Sequence, residues 1–245
     1  MLKSVKAARN LSGPNEQFPG FPDEGIRFLR ELKKHNDRDW FRQRKHLYQE
    51  HVEQPMALLV IETVSICRKS GLKLVANDKN PVMRVYRDIR FSADKRPYKT
   101  HVGAALHGVK GKGGLYLHIS PEESFVAAGF WMPERPFLQA WRTAMVADPK
   151  AFLRLVKSLA KHDLTLSDEG SLTRLPRGFD SHAQNEIAEF LKLTSYVVER
   201  KLQPGDYRSP ALIKVITSFA LATKPLLEFG WALDYAPKRD ILEED

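Results

Sequence analysis

Between Arg84 and His101 the chain reads Arg-Val-Tyr-Arg-Asp-Ile-Arg-Phe-Ser-Ala-Asp-Lys-Arg-Pro-Tyr-Lys-Thr-His, a dense run of titratable side chains. Guanidinium and ammonium groups at this density hold oxyanions: an arginine fork matches two oxygens of a phosphate or carboxylate, and lysine adds a point charge. Alternation from Val82 to Phe91 predicts a β-strand with Arg84, Tyr86, Asp88 and Arg90 on one face and Met83, Val85, Arg87, Ile89 and Phe91 on the other. Same-face neighbours on a strand lie about 6.6 Å apart, which suits a di- or triphosphate or successive backbone phosphates. Ser92 to Lys99, stiffened by Pro97, reads as a loop. The anion-binding candidates are therefore Arg84, Arg90, Lys95, Tyr98, Lys99 and His101. Arg87, set among apolar neighbours, needs a carboxylate or carbonyl partner, for which Asp94 or one of the carboxylates on the helices is the candidate; Arg87 and Asp94 would brace the loop. An architectural alternative joins Arg87, Asp88, Arg90, Asp94 and Lys95 in a salt-bridge network that locks the loop onto the sheet.

Asp88 and His118 are the candidates for acid or base chemistry. His118 falls on the polar face of an expected strand from Leu115 to Ile119, with Tyr116, and reaches Asp88 if that strand pairs close to the Val82 strand. His101, His107 and His118 lack the short spacings of known metal motifs, so no metal ligand is assigned and the cofactor is left unknown. Ser92, Ser120 and Ser124 have no nucleophile-elbow context. Gly108 to Gly114 (Gly-Val-Lys-Gly-Lys-Gly-Gly) carries neither the Walker pattern nor the dinucleotide fingerprint; a connection between strands is its ordinary reading and a phosphate-cradling loop the sharper one.

Around this run the elements follow from apolar period. Ile26, Phe28, Leu29 and Leu32 recur at near-helical spacing after Asp23, which can cap a helix. Asp37 to Lys69 reads as mostly helical with a kink or fresh start at Pro55, Pro133 to Ala147 and Pro149 to Lys161 as two further helices, Asn185 to Leu193 as a short one and Pro210 to Leu233 as a last one. Leu115 to Ile119, Ser124 to Trp131 and Ser195 to Leu202 read as strands, and Phe130, Trp131, Phe137 and Trp141 as core. The fold class is α+β: a mostly antiparallel sheet of four to six strands with helices packed on one side and at the ends. Residues 18–237 are expected to form a single domain, 1–17 a basic N-terminal tail carrying Lys3, Lys6 and Arg9, and 238–245 a charged C-terminal tail.

With 39 Lys and Arg against 30 Asp and Glu, the net charge of +9 favours an anionic partner. One cysteine, Cys67, excludes an intramolecular disulfide and thiolate zinc sites. The longest apolar run, Pro55 to Ile61, is far short of the roughly 20 residues of a membrane span, so no membrane partner is expected.

At the arginine run the chain resembles the bacterial and fungal proteins of domain of unknown function 2461, whose hallmark is Arg-x-x-Arg-Asp-x-Arg-Phe followed by Asp-Lys-x-x-Tyr. Here these positions are Arg84, Arg87, Asp88, Arg90, Phe91, Asp94, Lys95 and Tyr98. The resemblance extends to Arg38–Phe41, Gly114–Ser120, Ala128–Pro133 and Leu175–Asp180. Asn36-Asp37 departs from a pair of asparagines, and Ala93 and Arg96 from Lys and from Ser or Thr. The resemblance implies a cytoplasmic, mainly bacterial setting and no particular activity. Three functions follow as expectations. The chain is an anion- or phosphate-binding protein, extending to an enzyme on a phosphate-bearing small molecule or nucleotide; or a non-catalytic module for nucleic acid or an acidic protein; or a scaffold in which the motif is an internal network. Oligomeric state is not legible.

Overall fold

The structure, a computed structural model, describes residues 17–76, 81–108 and 113–235. Most of the two expected tails and the middle of the Gly108 to Gly114 stretch lie outside the described residues. The fold is α+β, with one five-stranded sheet in the order β1-β2-β3-β4-β5. Two compact units are distinguished: the described residues of Met1–Ala127 with Arg200–Leu221, and those of Ala128–Glu199 with Ala222–Asp245.

The first unit begins with α1 (Asp23–Lys34), whose buried face is Ile26, Phe28, Leu29 and Leu32. Asp23 does not cap it: Pro22 occupies the cap position, and the Asp23 carboxylate pairs with Arg208 Nε at 2.7 Å. Asp37 caps α2 (Arg38–Tyr48), its Oδ1 accepting from the amides of Asp39 at 3.0 Å and Trp40 at 2.9 Å. Instead of kinking at Pro55, the chain passes through a π-helical turn, Gln49–Glu53, into α3 (Gln54–Lys69). A proline has no N–H for the carbonyl four residues back and its ring crowds that oxygen, here His51 O; the wider turn relieves the conflict. The displaced carbonyl needs room, and Gly25 supplies it, since a Cβ there would stand 2.2 Å from His51 O. Helix α3 packs against β1 (Leu74–Ala76) and β2 (Val102–Gly108).

Strand β2 pairs antiparallel with β1, Leu74 opposite Gly108, and with β3 (Gly114–Ile119), Val102 opposite Ile119 and His107 opposite Gly114. It escaped the sequence reading because Val-Gly-Ala-Ala-Leu-His-Gly is poor in β-formers and buried on both faces through most of its length, which erases alternation. The predicted strand Val82 to Phe91 is not one. Residues 82–101 form an extended, hairpin-like excursion between β1 and β2, in which an isolated bridge pairs Tyr86 with Tyr98. Arg84, Arg87, Asp88 and Arg90 put charge on both sides of this segment, so neither side can bury against a core as a sheet strand must.

The second unit holds α4 (Arg135–Ala147), α5 (Pro149–Ala160), α6 (Ala188–Leu191) and α9 (Lys224–Trp231). Its core is aromatic: Trp141 stacks on Tyr196 at 4.2 Å and meets Phe130, Phe137 and Phe229. Gly129 in β4 (Ser124–Phe130) has φ +134, and a Cβ there would meet Tyr196 O of β5 (Tyr196–Leu202) at 2.0 Å. Buried Arg142 donates to the carbonyls of Leu191 at 2.9 Å and Leu193 at 3.0 Å, answering the open end of α6. Trp131, expected in the core, is 58% exposed. After α7 (Pro204–Tyr207) the expected last helix divides at Thr223 into α8 (Leu212–Ala222) and α9, whose Pro225 in the first turn cannot continue the α8 hydrogen-bond ladder.

Candidate anion site

The excursion closes on itself through backbone bonds from Arg87 N to Pro97 O at 2.9 Å and from Lys99 N to Val85 O at 2.8 Å. In this antiparallel pairing the flanking residues make the rungs, which turns the N–H and C=O of Tyr98 outward. Asn36, at the junction of α1 and α2, meets them both: its Nδ2 donates to Tyr98 O at 3.0 Å and its Oδ1 accepts from Tyr98 N at 2.9 Å. The Tyr98 ring is 4% exposed and stacks on Phe41 at 4.2 Å, so it belongs to the aromatic core under the site.

Against this clamp lies a pocket of about 230 Å³ whose walls include Lys33, Arg87, Arg96 and Lys99 with one carboxylate, Asp94; Asn36, Thr100 and His101 complete its polar lining. Asp94 binds two of the cations, accepting from Arg87 Nη1 at 2.5 Å and from Arg96 Nη2 at 2.8 Å, and these guanidiniums hold its carboxyl well below the usual carboxylate range. Lys33 pairs with Glu122 at 2.8 Å. Lys99 is half-buried, and among the described residues neither it nor Arg84 has an ion-pair partner. Burial and the nearby Arg84 charge both push the Lys99 pKa down. His101 lies next in the pocket, its ring 4.2 Å from that of His118. Burial, His118 and Lys99 together push its pKa down to about 4, so the ring is neutral at pH 7. Burial also lowers the pKa of His118, which is 3.2 Å from the Tyr116 hydroxyl through Nδ1 and stacked on Phe125 at 4.8 Å.

The predicted site residues thus fall into two groups. Arg84, Arg87, Asp94, Lys99 and His101 gather at or beside the pocket, with Tyr98 beneath. Asp88, Arg90 and Lys95 lie at the tip of the excursion instead: Arg90 Nη2 donates to Asp88 Oδ2 at 2.8 Å, and Lys95 Nζ to Ile89 O at 3.0 Å. Among the described residues no hydrogen bond or ion pair joins Asp88 to His118. His107, opposite Gly114 at the far end of the β2–β3 ladder, stands apart from the other two histidines. Among the described residues no group of three or more His, Cys, Asp or Glu side chains is arranged to hold a metal ion.

Sequence reasoning missed Lys33, Asn36 and Thr100. Only the basic last turn of α1 hinted at the first, and contacts spanning 62 positions, as between Asn36 and Tyr98, have no local signature. It also missed a second cavity, about 490 Å³, bounded by Phe21, Pro22, Pro55 and Leu58 beside the π-helical turn, where Arg208 is already committed to Asp23.

The family model described as conserved hypothetical protein (DUF2461) matches residues 24–229. No curated protein and no solved structure matches the chain.

Proposed function

We propose, for a chain that belongs to the DUF2461 family of conserved hypothetical proteins, a phosphate-binding role in which the pocket beside Lys99 seats a phosphoryl group. The observation that carries this reading is an excess of cations left without carboxylates. Lys99 is half-buried next to Arg84, an arrangement that costs stability in the empty protein and that a dianion would neutralise. Arg87 and Arg96, fixed by Asp94, add oriented donors, and the Thr100 hydroxyl and Asn36 amide add neutral ones. A volume of about 230 Å³ is below the roughly 300 Å³ at which pockets enclose drug-sized ligands, so the phosphoryl group enters while the rest of a larger ligand stays outside. His101 is the side chain in the pocket that can exchange a proton with the ligand, and an anion beside it raises its proton affinity. Binding is better supported than catalysis, since Asp88 is held by Arg90 away from the pocket lining.

The test is thermal unfolding with inorganic phosphate, pyrophosphate, nucleotides and sugar phosphates. A ligand at a hundred times its Kd stabilises by about 2.7 kcal/mol, or a melting shift of roughly 5–11 °C for a chain of this size. Lys99→Ala should leave the empty protein as stable as wild type or more so, and abolish the shift. If none of these ligands shifts the transition, or the shift survives both Lys99→Ala and Arg84→Ala, the reading fails.

A structural role for the motif has its own support in the double acceptance by Asp94. It calls for Asp94→Ala to unfold the excursion, detected as faster amide exchange across residues 87–99.

A further inference from the structure

Phe91 is 97% exposed, more than any other large apolar side chain described in this chain. It is not loosely held. Lys95 Nζ donates to Ile89 O across the tip, Ser92 N donates to the same oxygen at 3.4 Å, and Arg87–Asp94–Arg96 pins the base of the loop. A single exposed apolar ring is ordinary by itself, and what marks this one for contact is the braced, cationic loop that carries it. Its surroundings say with what. The excursion from Arg84 to Lys99 carries six cationic side chains against two carboxylates. The Arg90 guanidinium stands 5.9 Å from the Phe91 ring centroid. Its pairing with Asp88 is solvent-exposed, 77% on the arginine side, the kind of ion pair that contributes little and yields readily to a phosphate. Tyr86, 52% exposed, offers a second aromatic edge lower on the same excursion.

We propose that this tip docks single-stranded nucleic acid, Phe91 stacking on an unpaired base while Arg90 and Lys95 take the flanking phosphates. The site is distinct from the Lys99 pocket and does not depend on it. An aromatic face interleaved with cations is what an extended strand requires, because every base has a π-face and every linkage a charge. A paired duplex hides its bases from a single ring. A lipid surface would call for further large apolar side chains around the ring, and the tip, Ile89 and the small Ala93 apart, offers Asp88, Arg90, Ser92 and Lys95 there instead.

The experiment is fluorescence anisotropy of the full chain with labelled 12-residue oligothymidine and oligouridine in low salt, alongside vesicles rich in phosphatidylserine. Wild type should bind at least one strand, with an affinity that falls as salt rises. Phe91→Ala should weaken binding about 5- to 150-fold, the cost of one lost base stack. Phe91→Trp should bind as wild type does, and Phe91→Leu, apolar but without a π-face, should be as weak as Phe91→Ala. Arg90→Gln and Lys95→Gln should each reduce the salt slope by about 0.7. Because the ring is outside the core, the Phe91 variants should melt with wild type. Absence of strand binding, unchanged affinity in Phe91→Ala, full affinity in Phe91→Leu, or Phe91-dependent vesicle binding without strand binding would each overturn the proposal. Lys99→Ala separates the two sites: it removes the phosphate-induced melting shift and leaves the Phe91-dependent strand affinity in place.

Discussion

Replacing Asn36 with alanine tests how the excursion is held against the helices. The Asn36 carboxamide makes two hydrogen bonds to one residue, accepting from Tyr98 N at 2.9 Å and donating to Tyr98 O at 3.0 Å, as a neighbouring strand would. Each bond contributes about 0.5–1.5 kcal/mol net, and Tyr98, at 4% exposure, has limited access to replacement water. The loss in Asn36→Ala is therefore about 2 kcal/mol, which in a chain of this size lowers the melting temperature by roughly 4–8 °C. Asn36→Asp keeps the acceptor for Tyr98 N but sets a carboxylate against Tyr98 O, so at pH 7 it should fall about as far as alanine. Calorimetry gives the stability change, and hydrogen exchange across residues 97–99 gives its location, since the Tyr98 amide loses its acceptor only in the alanine variant. A melting temperature within 1 °C of wild type, or a loss of stability with Tyr98 still protected in Asn36→Ala, would refute the clamp.

Further outcomes follow from individual buried groups. His101 titrates near pH 4 in the folded chain against 6.5 for the free side chain, so the unfolded state takes up the proton first. Its contribution to stability should be level above about pH 7 and decline from 6.5 toward 4 with a slope of up to about 1.4 kcal/mol per pH unit; urea midpoints at pH 7, 6 and 5 read it, and His101→Gln should reduce the slope, leaving the part due to His118, whose pKa burial also lowers. Gly230→Ala would set a Cβ 2.2 Å from Phe130 Cζ and 2.6 Å from Trp141 Cζ3, both rings being buried. Crowding of about 1–3 kcal/mol should outweigh the helix preference for alanine of about 1 kcal/mol, and a raised urea midpoint would contradict this. Cys67 is fully buried and its thiol is pushed up to about 11 by burial, so a disulfide exchange reagent should leave it untouched in the native chain and titrate one thiol in urea.

The sequence by itself determined the α+β class, the helices with one apolar face such as α1 and α5, the strands β3 to β5 where alternation survives, and the family to which the motif belongs. These are local signals, because a helix or a half-buried strand writes its own period into neighbouring positions. It could also nominate Asp94 as the partner of Arg87, since the two stand seven positions apart. Tertiary structure decided the rest. Strand β2 was hidden by burial on both faces, and Val82 to Phe91, though alternating, carries Arg87 in the middle of its apolar face. A pocket built by Asn36 and Lys33 against Lys99 and His101 depends on chain closure over some sixty positions, and the division of six cations between that pocket and the Phe91 tip depends on which of them Asp88 and Asp94 reach. Spacing records which side chains a local element can present together; only the folded path determines which distant ones share a volume and which charges are already neutralised there.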